Sequence, residues 1–571
     1  MRLIISQYLH SLKERDEFDA LLPDLLLAMG YVPVSRPQTG VRQFGVDLAA
    51  TGVAEDGTKE LLLLVIKQGD VGRNNWDSTS PQSVRPSLNE VLDVYLKSHI
   101  EPAHQSYRKK VILATTGDLK QDTQLNWDSY TQTNVDKACF EFWGGDEVAR
   151  LVEKHLLDEH IFKEEDRKDL RKALALAGEV SYEQGDLHRL FLRQLGLTQS
   201  GELIEQKGSV KELIKGIRVV SLAAQVFARW SEDEGNLKQS LIASERAMLW
   251  VWHRIQLCSQ EKEKEKLTQE FTPVFRAYYR IADEYFKKIQ KHLYIRDGLS
   301  GYSRENASFS LAIFEHIGLI ATVGLNHLLS TVINNERVEE EANNAKAVAD
   351  GLIAMLRNNP ASGSPRLDEN VVDISLALLL LVTTGNINEA KEWLTELIKR
   401  IDFTLKSGRN FPICSDSLDD LVEFTVFNDK DFTKKMMEMS WILPTLAGWS
   451  VLLNHENAYN ALAKNSKNQY PEICLQLWHP TQDVSKHLYF HNACRYNGES
   501  EAPISLPDTM TEYRNQMKGL LELEKFDVLK SSLGFSNGLG MIDFIAYRHF
   551  RTPVAPFLYY KVGGLREELN D

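Results

Sequence analysis

The feature that most constrains the fold is an unbroken run of six apolar residues, 61–66, which ends at Lys67. A strand with one face in solvent alternates apolar and polar residues, so a continuous apolar run indicates a strand buried on both faces. Such burial requires helices on both sides of the sheet. The run therefore predicts an α/β domain in this part of the chain.

The neighbouring segments support this architecture, because strand and helix signals alternate over roughly the first 160 residues. Strands that alternate with helices are typical of a central mixed sheet covered by helices. The predicted elements are, in order, a helix over 12–30, strands over 31–35, 45–52 and 61–66, a loop over 69–86, a helix over 87–99, strands over 110–115 and 140–143, and a helix over 147–157.

The rest of the chain has a different pattern. Strand signals vanish after about residue 165, and helical periodicity continues to about residue 530. Gly-Asp or Gly-Asn turns between amphipathic helices recur at 182–187, 232–237 and 383–390, which favours an irregular α-solenoid. The last of these resembles a tetratricopeptide turn, with Ala390 and Trp393 as packing residues of its second helix.

These patterns predict a multidomain chain of the α+β/α class. At 571 residues the chain is too long for one hydrophobic core, and two to four domains are expected. We predict an α/β domain over 1–165, a helical domain over 166–360 and a solenoid-like helical domain over 361–571. Residues 360–365 are Pro, Gly, Ser and Ala with no charged side chain until the following arginine, which predicts a flexible break.

Charge and motif content narrow the possible classes of function. The formal net charge is −14, and about −8 of it falls in the first 165 residues, so any DNA contact must use a small focused patch. No Gly-x-x-x-x-Gly-Lys-Ser/Thr motif occurs, so the chain is not predicted to act as an NTPase by itself.

Cysteine usage and hydropathy predict a cytoplasmic protein that does not enter a membrane. The five cysteines are odd in number and widely scattered, which predicts free, mostly buried thiols in a reducing compartment. The first residues do not form a signal peptide. The most hydrophobic stretch, 311–333, contains Glu315, His316, Asn326 and His327, which favours a buried core helix over a bilayer span.

Two residues form the strongest chemical constellation. Asp47 and Lys67 are separated by 19 residues that contain a turn between two strands, so adjacent strand ends would bring both side chains to one edge of the sheet. A carboxylate there can ligate Mg²⁺, and a lysine can orient an attacking water or stabilise charge on a phosphate. A carboxylate from the first helix, Asp19 or Glu17, could complete the site by binding a second metal or a metal-bound water.

This arrangement resembles the PD-(D/E)xK nuclease superfamily, specifically its Mrr-like restriction endonuclease branch. The resemblance covers residues 10–160 and implies a restriction-endonuclease-like fold, a Mg²⁺ or Mn²⁺ cofactor bound by Asp47 and Asp19, and catalytic roles for Asp47, Lys67, Asp19 and Glu17. The residues that match the family's motifs are Phe18, Asp19, Leu21, Leu25, Leu26, Met29, Gly30 and Tyr31 on the helix, Gly45, Val46 and Asp47 after it, and Lys67 at the strand end.

One position departs from the family pattern. The family places Glu, or Gln in Mrr-like members, two residues before the strand lysine, and this chain has Val65 there. Strand alternation directs residue 65 to the same face as Lys67, so the usual second ligand is absent. Gln68 is predicted to point to the other face, and Asp19, Glu17 or Glu90 could take over the role from neighbouring helices.

Several basic residues lie close in sequence to the predicted site elements and could bind phosphates. We predict that they flank the site in loops. The predicted DNA-binding residues are Arg42, Arg73, Arg85, Lys109 and Lys110.

The leading hypothesis is therefore a metal-dependent DNA endonuclease that its helical region regulates. Such fusions resemble effectors of bacterial anti-phage defence systems, which implies DNA as substrate, an ATPase or sensor as partner protein, and an oligomeric state. The alternative is a catalytically inactive nuclease-like fold that binds DNA or protein within a larger complex. A third interpretation makes the helical region the main element, as a scaffold to which the α/β domain is attached.

Overall fold

The computed structural model describes residues 9, 18–35, 44–54, 56–78, 83–156, 164–179, 181–204, 209–299, 306–333, 337–407, 411–426, 429–468, 472–479, 487–493, 499–501, 504–522, 533–556 and 558. The protein is mostly helical, with a small mixed sheet near its N-terminus and a large helical region. Two compact units are present: Met1–Leu190 with Lys211–Glu234, and Phe191–Val210 with Gly235–Asp571. The predicted division into three segments stays a prediction, and its boundary at 360 falls inside the second unit.

The first unit contains one five-stranded mixed sheet, as the sequence predicts. The strands lie in the order β1-β2-β3-β4-β5. Strand β2 runs antiparallel to both of its neighbours, β1 and β3, whereas β3, β4 and β5 are parallel. The strands are β1 (Val32–Ser35), β2 (Leu48–Val53), β3 (Lys59–Lys67), β4 (Arg108–Thr115) and β5 (Cys139–Trp143).

The central strand β3 is buried on both faces, which confirms the prediction from its apolar run. All residues between Lys59 and Lys67 are buried. Leu61, Leu63 and Val65 face an apolar cluster that also contains Trp76, Leu88, Trp127, Val111 and Leu113 from the elements around them. Helices on both sides make this burial possible, because a parallel sheet in water needs both faces covered.

Eight helices surround or follow this sheet in the described part of the chain before residue 235. The third helix continues as a π-helical turn over Val91–Tyr95 and then as a helical turn over Leu96–Ser98. The fifth helix continues as a π-helical turn over Val152–Leu156. A short 3₁₀ turn covers Pro102–His104. The helices are α1 (Asp19–Ala28), α2 (Arg73–Trp76), α3 (Val84–Glu90), α4 (Gln121–Thr133), α5 (Gly145–Leu151), α6 (Glu164–Ala175), α7 (Gly185–Leu195) and α8 (Val210–Asp233).

The later part of the chain is helical apart from two short two-stranded pairs. Its helices are α9 (Leu237–Gln256), α10 (Glu261–Leu293), α11 (Asn306–Ile333), α12 (Val338–Asn358), α13 (Val371–Thr383), α14 (Ile387–Ser407), α15 (Leu418–Val426), α16 (Lys430–Met436), α17 (Ile442–Leu452), α18 (Glu456–Asn468), α19 (Met510–Glu522), α20 (Leu533–Ser536) and α21 (Gly540–His549). Its strands are β6 (Met439–Ser440), β7 (Cys474–Leu475), β8 (Leu477–His479) and β9 (Glu499–Glu501), and 3₁₀ turns cover Pro360–Gly363 and Asp368–Asn370.

The predicted helix–turn–helix connection at 383–390 is confirmed. Gly385 has a φ of +84°, and Asn386 N–H donates to the Leu381 carbonyl, so the turn reverses the chain between α13 and α14. Ala390 and Trp393 are buried, as expected for packing residues of the second helix.

The prediction of a flexible break at 360–365 is wrong. Pro360–Gly363 forms a 3₁₀ turn, and the Trp393 indole N–H donates to the Ser362 carbonyl at 3.0 Å. Arg400 donates to the Pro360 carbonyl at 2.7 Å. The Pro, Gly and Ser residues suggest a flexible break, but in the structure they form a tight turn that hydrogen bonds from α14 stabilise.

Helix α11 contains the long apolar stretch that the sequence predicts to be a buried core helix. By length and composition Phe309–Ser330 could cross a membrane, but 78% of its apolar window is buried inside the structure. The helix packs against α12, α13 and α21. Its polar residues are buried and bonded: His316 Nδ1 lies 2.7 Å from the Tyr285 hydroxyl, and Asn326 donates to the Tyr278 hydroxyl at 2.8 Å.

His316 gives the second unit a testable pH dependence. Burial lowers its pKa to about 4, from the ordinary value of 6.5, because the protonated imidazole would lose its solvation. The unfolded chain therefore takes up a proton before the folded one, and stability falls as the pH drops from 6.5 towards 4. We expect His316→Gln to flatten the pH dependence of the unfolding free energy by up to about 3 kcal/mol over this range.

Urea unfolding at pH 7 and pH 4.5 measures this difference. His292→Gln is the matched control, because His292 is exposed near the end of the neighbouring helix α10. Equal pH dependence in wild type and His316→Gln would contradict the assignment.

The described cysteines are free, as predicted, but the prediction that most are buried is wrong. Cys139 is exposed because it begins β5 at the edge of the sheet, and Cys258, Cys414 and Cys474 are partly exposed. Cys494 lies outside the described residues.

Candidate active site

The carboxyl ends of the three parallel strands meet at one edge of the sheet. The Thr115 hydroxyl donates to the Gly69 carbonyl at 2.5 Å, and Gly69 N–H donates to the Thr116 hydroxyl at 2.8 Å. Gly145 N–H donates to the Gly117 carbonyl at 2.8 Å. A Cβ at Gly117 would lie 2.4 Å from the carbonyl carbon of Gly69, so only glycine fits there. The loops after β3, β4 and β5 therefore pack tightly against one another.

Asp47 and Lys67 lie at this edge. Leu48 pairs with Leu64 in the antiparallel ladder, and Asp47 N–H donates to the Leu64 carbonyl at 2.9 Å. The Asp47 carboxylate accepts the Ile66 N–H at 2.8 Å, so it is held one residue away from Lys67.

Strand alternation gives the direction of the Lys67 side chain but not that of Asp47, which lies just before β2. Ala49 and Val65 both belong to the apolar cluster described above. Lys67 follows Val65 by two residues on β3 and therefore points to that face. Asp47 precedes the first residue of β2, and its carboxylate is positioned by the bond from the Ile66 N–H. Lys67 pairs with Thr115 and is partly exposed. The Asp47 carboxylate is thus bonded to the residue next to Lys67, and the roles predicted for the two side chains stay predictions.

A glycine makes the approach of Asp47 possible. Gly45 has a φ of +79°, and a Cβ at this position would lie 2.2 Å from the Ser87 carbonyl oxygen of α3. Only a residue without a side chain can pass this close to the helix and adopt that backbone conformation. The glycine of the Gly-Val-Asp sequence is therefore required for steric reasons, because the chain passes close to α3 before it enters β2.

Val65 is fully buried in the apolar cluster. A carboxylate or amide at this position would enter the core rather than the exposed edge, so the backbone position that the resemblance assigns to a second ligand is used for packing. Across the described residues, no group of three or more His, Cys, Asp or Glu side chains is placed so that it could hold a metal ion.

Asp19 belongs to the other side of the sheet. Helix α1, which begins at Asp19, contacts β1 and the π-helical continuation of α5. Met29, which follows α1, lines a pocket together with Leu62, whose side chain points away from the face of Leu61 and Leu63. Roles for Asp19 and Glu90 in the site stay predictions, and Glu17 lies outside the described residues.

Two of the predicted DNA-binding residues, Arg73 and Arg85, lie on short helices and not in the predicted loops. Arg73 is exposed on α2, directly after the tight loops. Arg85 is exposed on α3 and makes an ion pair of 2.8 Å with Asp77. Arg42 lies outside the described residues.

The predicted placement of Lys109 and Lys110 beside the site is wrong. Both belong to the start of β4, where Lys109 pairs with Leu61 and Lys110 with Leu62. Lys67 pairs with Thr115, the last residue of β4. At about 3.3 Å per residue, the two lysines lie roughly 15–20 Å away at the opposite end of the sheet.

The edge of the sheet where the parallel strands β3, β4 and β5 begin carries a buried ion network that the sequence analysis did not predict. Glu60 is fully buried, and its carboxylate accepts from the Tyr31 hydroxyl at 2.7 Å and from Arg108 Nε at 2.8 Å. Lys110 lies 3.3 Å from Glu60 and 2.9 Å from Glu141. Burial alone would raise the pKa of Glu60, but these donors outweigh it and lower the pKa.

A pocket of about 370 Å³ opens beside this network. The charged groups on its wall are already paired with each other, Lys110 with Glu141 and Arg150 with Glu147. Glu60 directly precedes the apolar run and begins the buried part of β3, a position that the apolar run alone does not mark. A lone acid at the start of a buried strand is the signal that could have revealed it.

The edge that carries Asp47 and Lys67 is close to neutral in charge. Asp70 accepts the Asp118 N–H at 3.1 Å, and Lys120 lies 3.9 Å from Asp70. Its acidic residues are Asp47, Asp70, Asp118 and Asp146, and its basic residues are Lys67, Arg73 and Lys120. This surface therefore does not attract a polyanion by charge alone.

No family model, no curated protein and no solved structure matches this chain.

Proposed function

We propose that the first unit is a metal-dependent phosphodiesterase that cleaves DNA, built on a restriction-endonuclease-like fold. The observation that carries the proposal is the position of Asp47, whose carboxylate is bound to the backbone one residue before Lys67. A carboxylate and a lysine at the carboxyl edge of parallel strands would supply a metal ligand and a cation for the phosphate, which a magnesium-assisted hydrolysis can use.

Asp47 would hold the cation with its carboxylate, which the Ile66 N–H already fixes in direction. Mg²⁺ is commonly bound through only one or two carboxylates together with substrate phosphates, so the donor set present is compatible with it. A magnesium or manganese ion bound there would polarise the phosphate. Lys67 would place a positive charge beside the phosphate and orient water for attack.

A specific observation favours the alternative, an inactive nuclease-like fold that binds DNA or protein. Val65 is packed in the core where the resemblance expects a ligand, and the Asp47 carboxylate also serves as a backbone acceptor that joins β2 to β3. A salt bridge or a strand clamp would explain both residues without catalysis. Metal binding separates the two proposals.

The test is cleavage of supercoiled and linear DNA by the full chain with Mg²⁺ or Mn²⁺, together with direct titration of Mn²⁺. We expect Asp47→Asn and Lys67→Met each to lower the cleavage rate by about 100-fold or more. Asp47→Asn should also weaken Mn²⁺ binding, whereas Lys67→Met should not. The amide retains the acceptor for the Ile66 N–H, so the fold is preserved.

Asp128→Asn and Lys97→Met are the controls, since both residues are exposed in the same unit and lie outside the site. Mn²⁺ binding that depends on Asp47, without cleavage, would indicate a silenced enzyme. The absence of both in wild type would favour the inactive fold.

The remaining functional proposals concern the helical region. We propose that it is a solenoid-like regulator of a cytoplasmic effector in a bacterial defence system, and that it works with an ATPase or sensor partner in an oligomer. The near-neutral edge around Lys67 supports a requirement for help in DNA binding, because few cations are available there to hold phosphates. Weak DNA binding by the isolated chain is the corresponding expectation.

A further inference from the structure

Helix α15 presents an apolar stripe to solvent. Its inner side is fixed by the buried side chains of Leu421 and Phe424. On the outer side, Leu418, Val422 and Val426 are 47%, 41% and 66% exposed. Residues four apart lie on the same side of a helix, so these three form one continuous line along its length.

An acidic ridge runs beside this stripe. Asp419 and Glu423 are both exposed and follow Leu418 and Val422 by one residue, which places them about 100° further round the helix. Neither carboxylate makes an ion pair with another residue in the part of the chain that the structure describes. The opposite flank of the helix is held by Arg366, which donates to the Thr425 hydroxyl at 2.9 Å.

The charge pattern argues against a second copy of this chain that docks with its α15 antiparallel. A two-fold axis between antiparallel α15 helices would leave the acidic ridge of each helix on the same side of the interface. Asp419 and Glu423 would then face like charges, which disfavours the contact. The same ridge would attract Lys or Arg side chains of a different molecule.

We propose that α15 is a docking surface for a helical segment of a partner protein whose apolar stripe is flanked by Lys or Arg residues. Leu418, Val422 and Val426 would pack against the partner's aliphatic side chains, as in other helix-to-helix contacts. Asp419 and Glu423 would pair with its cations and set its orientation. This surface is independent of the chemistry at Asp47 and Lys67.

The test measures binding of two synthetic amphipathic peptides of about 18 residues, long enough to form a helix. One peptide combines leucine with lysine, and the other combines leucine with glutamate in the same pattern. We expect the full chain to bind the lysine peptide at least about 10-fold more tightly than the glutamate peptide. The double variant Asp419→Lys/Glu423→Lys should reverse this preference, and Val422→Ser/Val426→Ser should weaken binding of the lysine peptide about 10-fold.

The control is Glu339→Lys/Glu340→Lys, which makes the same change of charge on an exposed turn of α12. An equal effect of the control and the α15 charge variant would show general attraction to an acidic protein and overturn the proposal. Unchanged binding in Val422→Ser/Val426→Ser would overturn it as well. So would light scattering that shows a dimer of wild type and a monomer of this variant, because the occupant would then be a second copy. Circular dichroism of each variant establishes that the fold is retained.

Discussion

Glu245→Gln will destabilise the second unit by about 3–5 kcal/mol. Glu245 is fully buried on α9, where one carboxylate oxygen accepts from Arg548 and the other lies 3.0 Å from His549 Nδ1. The two cationic or polar partners come from the end of α21, about 300 residues later in the chain. The amide is nearly the same size as the carboxylate, so the variant removes charge with little change in volume.

The physical reason for this large effect is the arginine that the substitution leaves behind. Arg548 is also buried, and its nearby acceptors besides Glu245 include the Thr322 hydroxyl, 3.2 Å from Nε. A buried guanidinium without its counterion loses solvation that nothing replaces, which costs far more than an exposed ion pair contributes. Arg548→Met alone should be similarly damaging, because it leaves the Glu245 carboxylate buried.

Urea unfolding of Glu245→Met, of Arg548→Met and of Glu245→Met/Arg548→Met forms a double-mutant cycle. The double variant should be more stable than either single variant, since neither charge of the Glu245–Arg548 pair is left buried without the other and the apolar side chains fill the space. Glu339→Gln, on the exposed first turn of α12, is the control and should change the unfolding free energy by less than about 0.5 kcal/mol. A double variant as unstable as the sum of the singles would contradict this account.

Asp368→Ala will destabilise the same unit by about 3 kcal/mol. The Asp368 carboxylate accepts the N–H groups of Trp441 at 2.5 Å and Ile442 at 3.1 Å, and the Ser440 hydroxyl at 2.9 Å. Asp368 therefore accepts hydrogen bonds from the backbone N–H groups at the start of α17, although it does not belong to that helix. All residues of α17 are buried, so the freed N–H groups could not turn to water instead.

An exposed helix start in the same unit provides the matched control. Asp429 accepts the Phe432 N–H at 2.8 Å and caps α16, but in contact with solvent. Asp429→Ala should cost only about 1 kcal/mol, because water can replace the lost acceptor. Equal losses in the two variants would show that burial of the cap does not matter.

The two variants should also differ in pH dependence. Burial raises the pKa of Asp368 to about 6, so the folded protein takes up this proton before the unfolded chain does. As the pH falls from 7 to 5, wild type gains stability relative to Asp368→Ala, and the difference between them grows. Denaturation at both pH values measures the change.

Local patterns in the sequence predict the strands of the first unit well, whereas α2 and the start of α3 lie in the predicted loop over 69–86 and α4 was not predicted. The apolar run before Lys67 predicts a strand with helices on both faces, and turn residues predict its neighbours within a few positions. The approach of Asp47 to Lys67 is also predictable, because a short antiparallel connection leaves little choice of register. Lys109 and Lys110 were misplaced because closeness in sequence was given more weight than strand direction. Lys67 ends β3 and Lys109 begins the parallel strand β4, which puts them at opposite ends.

Contacts between distant segments account for most of what was missed. The acceptor of Arg548 lies on α9, and the cap of α17 comes from a residue more than 70 positions earlier. The pattern of apolar and polar residues around Glu245 or Asp368 does not indicate that either side chain has a distant partner. The turn at Pro360–Gly363 looked like a linker because its stabilising residues, Trp393 and Arg400, belong to a helix that follows it.

The two threonine hydroxyls that bind Gly69 have a consequence for how this protein could be switched off. Both backbone polar groups of Gly69 are engaged, and Gly117 fits against it without room for a side chain. A segment fastened in this way makes a poor hinge, so the chain around Lys67 is not suited to opening and closing. Under the proposed function, control would then depend on access: an inhibitor would cover a surface that stays assembled, and activation would remove that cover.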